Sequence, residues 1–214
     1  MQISPELSNY DDLLGVTAFI DNNCLEMAIT GAGPLAPGPD APRYGDEVQR
    51  SMYNGWKSQH GVKDQTVDGA SGHTWDMFGP LPIRQNDLYL LRESKILDRW
   101  RDTIRELPHQ DESTPEFKIF GDSAYKYREH LFTYFSRQHN QQCSDLLNYA
   151  LKAVRISIEW NYGHTVQLFK ALSKIYKLRA LSGKEGTALK LYTVATLLRN
   201  FHVLAVWVTI FKLF

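Results

Sequence analysis

The apolar positions of this 214-residue chain fall into two regimes. In the first half they come in short runs bounded by turn formers, as strands do. Gly15-Val16-Thr17-Ala18-Phe19-Ile20 is one such run; Asn22-Asn23 then reads as a turn and Cys24 to Ile29 as a returning strand, so 14–29 is predicted as a hairpin. Gly31 to Gly45 is rich in Gly, Pro and Ala without periodicity and reads as an exposed loop. Tyr53-Asn54-Gly55, Gln65-Thr66-Val67 and His73 to Phe78 read as further strands of the same sheet, and Gly79-Pro80-Leu81-Pro82 as a break. Asn86 is placed to cap a helix running through Leu88, Leu91, Ile96, Leu97 and Trp100. Glu116 to Gly121 is a short buried strand after a polar connector.

Beyond Tyr125 the spacing changes. Leu147, Leu151, Val154, Ile158 and Tyr162 form one stripe at helical intervals. Gly183 and Gly186 punctuate the chain before a last helix over about 188–211. The uninterrupted apolar run in that helix, Val203 to Ile210, is too short for a bilayer span of ~20 residues; it predicts a buried packing helix. Strands, helix, strand, then helices make an α/β layered domain with a helical C-terminal half.

Three acids stand out against this pattern. Asp21 and Asp122 each end an apolar strand-like run, and Glu159 lies on the long helical stretch, with 36 residues between it and Asp122. Two strand-end aspartates and a helix-borne glutamate can converge to hold divalent metal for phosphoryl transfer. Each acid also has an ordinary structural role open to it: Asp21 as a turn aspartate, Asp122 as a cap before Ser123-Ala124-Tyr125, and Glu159 as an i,i+4 partner of Arg155. Together they favour the metal site.

Composition constrains partners. Zero net charge argues against a free-standing, tight, non-specific DNA binder. The distribution is uneven: residues 1–50 carry eight acids against two arginines, and residues 145–190 carry eight bases against three acids. The basic segment contains Glu159, and a positive surface beside a metal-binding acid suits a nucleic-acid phosphodiester. Lys170, Lys174 and Lys177 are spaced to share one helix face and are candidate DNA contacts, with Lys57 and His60. Arg155 is placed either to orient Glu159 or to contact phosphate. Tyr53, Trp56 and Trp160 read as packing residues. Cys24 and Cys143 form no metal-type cluster, and no signal peptide is evident, which predicts a reducing, intracellular setting without membrane insertion.

Several short motifs occur in one order: Phe19-Ile20-Asp21; Tyr53-Asn54-Gly55-Trp56-Lys57 with His60-Gly61 and Lys63; Phe78-Gly79-Pro80 followed by Arg84 and Asp87; Gly121-Asp122-Ser123-Ala124-Tyr125; and Arg155-Ile156-Ser157-Ile158-Glu159-Trp160 with Gly163. In this the chain resembles Harbinger-type transposases of the DDE endonuclease superfamily, from about Thr17 to Phe211. The resemblance implies a single RNase H-like domain over 1–214, a mixed sheet flanked by helices. It also implies Mg²⁺ (or Mn²⁺) held by Asp21, Asp122 and Glu159 as catalytic residues, with Asp87 and Arg155 as auxiliaries. DNA is the implied substrate and the nucleus the implied location, with a separate DNA-recognition protein and a homo-oligomer as candidate partners. The chain departs from the family pattern at Asn22-Asn23, at Ile83 and at Asp68-Gly69, and Asp21 lies close to Met1, which leaves no room for an upstream recognition region. These departures sustain a second expectation: a decayed or domesticated, non-enzymatic derivative that binds DNA or protein.

Overall fold

The computed structural model describes residues 16–28, 50–69, 71–107, 117–135, 141–173, 176–177 and 187–211. The elements are β1 (Val16–Ala28), β2 (Tyr53–Asn54), β3 (Gln59–Gly69), β4 (Thr74–Pro82), α1 (Asp87–Ser94), α2 (Ile96–Glu106), β5 (Lys118–Gly121), β6 (Leu131–Phe132), α3 (Gln141–Leu168), a 3₁₀ turn (Lys170–Ser173), β7 (Tyr176–Lys177) and α4 (Thr187–Phe211). The hydrogen-bonded strand order is β2-β3-β1-β5-β6, with β4 on β3 and β7 on β1. The sheet is mixed and the class is α/β. The predicted Gly31–Gly45 loop lies outside the described residues.

The described residues divide into two compact units interleaved along the chain: 16–21, 66–76 and 87–161 in the first, and 22–65, 77–86 and 162–211 in the second.

In the first unit β5 lies between β1 and β6, parallel to both. Strands covered on both faces run nearly continuously apolar; β5 is buried at all four positions, Lys118 included. Its register with β1 pairs Phe19 with Phe120 and Ile20 with Gly121. Ala18, Ile20, Val67, Leu91, Ile96, Ile119, Tyr125 and Leu131 form the core, with Leu88, Leu97 and Trp100 packed against it. Gly121 has a steric reason: a Cβ there would stand 2.7 Å from Tyr125 Cδ2 and 3.1 Å from Ile20 Cγ2. The missing side chain lets Tyr125 fold back over the strand end.

Two expectations for this unit are corrected. The helix predicted through Leu88 to Trp100 is two helices, because Lys95 adopts left-handed backbone (φ 52°) between them. Ser94 stabilises the break, its Oγ donating to Leu91 O at 3.0 Å. The predicted hairpin over 14–29 is instead one strand of 13 residues running through Asn22-Asn23. Parallel partners, β5 early and β7 late, satisfy its backbone, so no reversal is needed.

In the second unit β2 and β3 pair antiparallel, Tyr53 with His60 and Asn54 with Gln59. β4 continues through the predicted break to Pro82. Leu172, Tyr192 and Ala195 form the core, with Met77, Tyr162, Val166 and Phe169 against it. The expectation that α4 is a buried packing helix is corrected in part. Tyr192, Ala195, Thr196 and Arg199 are buried, but Leu191, Val194, Leu197, Leu198, Phe201 and Leu204 are exposed. A helix that is apolar all round cannot turn every face to one core. No helix among the described residues is long and apolar enough to cross a membrane.

Candidate active site

Asp21 and Asp122 each stand one residue past the last registered pair of β1 and β5, Ile20 with Gly121. Adjacent parallel strands therefore deliver them side by side on the sheet. Asp122 also caps the turn that follows: its Oδ1 accepts the Ala124 N–H at 2.8 Å, and its carbonyl accepts the Tyr125 N–H at 3.1 Å. The helix-capping role open to Asp122 is corrected: no helix follows, and its side chain closes a turn instead.

Glu159 lies on α3, one turn after Arg155. The Arg155 guanidinium spans two acids, donating from Nη1 to Asp21 Oδ2 and from Nη2 to Glu159 Oε1, each at 3.0 Å. Side-chain exposure is 18% for Asp21, 20% for Arg155 and 53% for Glu159. The Asp21 link is therefore the less screened of the two. Burial works against the Arg155 charge, but Asp21, Tyr134 and Glu159 outweigh it and raise its pKa above the ordinary arginine value. Among the described residues no group of three His, Cys, Asp or Glu side chains is close enough to hold a metal ion.

α3 is anchored beside this cluster by a buried acid that sequence reading took for a departure from strand pattern. Asp68 accepts from Thr66 Oγ1 at 2.6 Å, from Thr74 Oγ1 at 2.5 Å and, more weakly, from Asn161 Nδ2 at 3.5 Å. Asn161 is two residues past Glu159. Tyr134 is a further neighbour of Arg155 that the sequence did not single out. Thr66 two residues before Asp68 was the local signal for it; its second partner, Thr74, lies on the next strand, and Tyr134 had no signal.

Asp87 opens α1 in the same unit, in a first turn that favours an acid. Lys57 and His60 belong to the second unit, where Lys57 Nζ lies 3.2 Å from Cys24 Sγ and the His60 ring packs on Tyr53 at 4.9 Å. The lysine face is corrected. α3 ends at Leu168, Lys170 opens a 3₁₀ turn and Lys177 sits in β7, so no single helix carries these lysines; Lys174 lies outside the described residues. The packing role for the tryptophans is corrected too: Trp56 is 95% and Trp160 73% exposed.

Replacing Arg155 with alanine leaves Asp21 and Glu159 facing each other without their shared cation. Each carboxylate then loses a charge-assisted hydrogen bond, and the expected result is a melting temperature lower by a few degrees. Arg155→Lys should restore only part of it, since one compact ammonium replaces the two separate NH2 groups that reach the two carboxylates. Thermal unfolding of both variants checks this.

The class follows from comparison with known families. A model described as DDE superfamily endonuclease matches residues 40–200, most of the chain. The chain belongs to the DDE superfamily of endonucleases. The matched span contains Asp122, Arg155 and Glu159 and begins after Asp21. No curated protein and no solved structure matches the chain.

Proposed function

We propose that this DDE endonuclease is a Harbinger-like transposase nuclease domain of RNase H-like fold over 1–214, acting on DNA in the nucleus. Asp21, Asp122 and Glu159 are its catalytic acids. The observation that carries the reading is the Arg155 bridge, which reaches Asp21 on β1 across 134 residues of sequence and Glu159 one turn further along α3. The parallel register that sets Asp122 beside Asp21 supports it.

Carboxylates are the donor type that a hard divalent cation takes, but the three do not stand close enough together in this structure to hold one ion, so metal binding requires them to draw together. Two of these acids already share one cationic group, so the site is built to be neutralised by positive charge. A bound Mg²⁺ or Mn²⁺ would supply Lewis-acid stabilisation of the attacking and leaving oxygens. The chain's own residues do the rest. Asp21 lies on β1 and Asp122 just past the end of the adjacent β5, while Arg155 ties Asp21 to Glu159 on α3. Asp68 keeps that turn of α3 seated through Asn161.

A short duplex with Mg²⁺ should be nicked weakly and with little sequence preference, because the acids supply chemistry and no groove-reading element is among them. Ca²⁺ should support binding but little cleavage, since its looser coordination positions the reacting oxygens less well. Equal nicking by wild type and Glu159→Gln would overturn the reading in favour of a non-enzymatic derivative.

A further inference from the structure

The second unit holds a cleft of about 440 Å³ lined by Arg50, Tyr53, Asn54, Gly55 and Arg84. Among the described residues neither arginine has an ion-pair or hydrogen-bond partner, and both are exposed. Two guanidinium groups, with no carboxylate among the described residues of the lining, favour an anion with several oxygens, which arginine binds in a fork.

The rim of the cleft is preorganised. Asn54 Oδ1 accepts the backbone N–H groups of Trp56 at 2.9 Å and Lys57 at 3.1 Å, while its Nδ2 donates to Ile83 O at 3.1 Å. One asparagine thus fixes the β2–β3 turn and ties it to the residue preceding Arg84. The turn presents Trp56 to solvent one residue past the lining Gly55, and Tyr53, itself exposed, lines the wall. Leaving a tryptophan so exposed forgoes the burial that indole favours. Paired arginines with adjoining open aromatic faces combine the two interactions that hold unpaired nucleotides: phosphate pairing and base stacking.

We infer that this cleft binds a single-stranded nucleic-acid segment, with Arg50 and Arg84 on backbone phosphate and Tyr53 and Trp56 stacking bases. The inference rests on the proposed nuclease function only for the choice of DNA as the polyanion. Duplex DNA is the poorer ligand, because its bases are already stacked on one another and give the tryptophan no free face.

The test is the fluorescence anisotropy of a labelled eight-nucleotide thymidine oligomer with the full chain, in EDTA so that no metal-dependent cleavage runs. The double variant Arg50→Glu, Arg84→Glu should bind at least tenfold more weakly. The slope of log affinity against log salt should shrink by roughly 0.7 for each phosphate that the variant no longer neutralises. Trp56→Ala should weaken binding about five- to a hundredfold, the range for one stacked base. All three positions are exposed, so unchanged melting temperatures are expected of the variants. An affinity indifferent to the double charge reversal would overturn the site. Tight duplex binding indifferent to Trp56→Ala would overturn the single-strand assignment. Absence of nicking by wild type would sink the nuclease function and leave this binding as predicted.

Discussion

Asp122→Asn should lower Mg²⁺-dependent strand cleavage by on the order of 10³-fold or more, equivalent to about 4 kcal/mol of transition-state stabilisation. The substitution separates the turn contact of this side chain from the metal-ligand role proposed for it. As a cap, Asp122 needs one oxygen to accept the Ala124 N–H, and an asparagine carbonyl accepts it equally well. As a metal ligand it needs charge, which the amide lacks. The fold should therefore persist while cleavage is abolished, so circular dichroism and nicking rates measured on one preparation distinguish the tasks. Asp21→Asn should behave similarly in cleavage, with an added stability cost because its ion pair with Arg155 is removed.

The second large effect concerns stability. Burial pushes the Asp64 carboxyl up to about 7 from its usual 3.8. The backbone of Gly79 passes against it: a Cβ at Gly79 would fall 2.6 Å from Asp64 Oδ1 and 3.0 Å from its Cα. The folded state therefore binds this proton more tightly than the unfolded state does. Where the folded state holds more protons, stability falls as pH rises. The loss should begin near pH 4, continue through about pH 7 and level off above. At about 1.36 kcal/mol per pH unit it amounts to about 4 kcal/mol. Asp64→Asn should flatten this profile and make the variant the more stable protein at pH 8, with little difference at pH 4. Urea unfolding at both pH values reads the crossing. Parallel profiles for wild type and variant would mean that Asp64 is solvated.

What could be read from sequence follows from what is local. β5 and the first half of β1 were legible because strands buried on both faces run nearly continuously apolar, and the acids at the ends of those runs came with them. The stripe of α3 was legible for the same reason: Leu151 and Ile158 are buried at helical spacing. Non-local choices were not. Asn22-Asn23 reads as a turn until parallel partners on both halves of β1 are known. Lys170 and Lys177 do not share a helix face because α3 ends at Leu168, two residues before Lys170, where no glycine or proline marks the stop. Periodicity also cannot tell an apolar residue that is buried from one left outside, which is why α4, Trp56 and Trp160 were misplaced. Within the candidate site the individual acids were legible, but the Asp21–Arg155 pairing was not, since it joins residues 134 apart.

That pairing frames the decisive measurement: thermal unfolding of wild type and Asp122→Asn with and without Mg²⁺ or Mn²⁺. A cation that binds only the folded state stabilises it by about 2.7 kcal/mol at a hundredfold excess over its Kd. For a chain of this size each kcal/mol raises Tm by about 2–4 °C. Wild type should therefore gain several degrees, while Asp122→Asn, Asp21→Asn and Glu159→Gln gain little. A shift of equal size in wild type and all three variants, or no shift in wild type, would contradict a metal centre built from these acids.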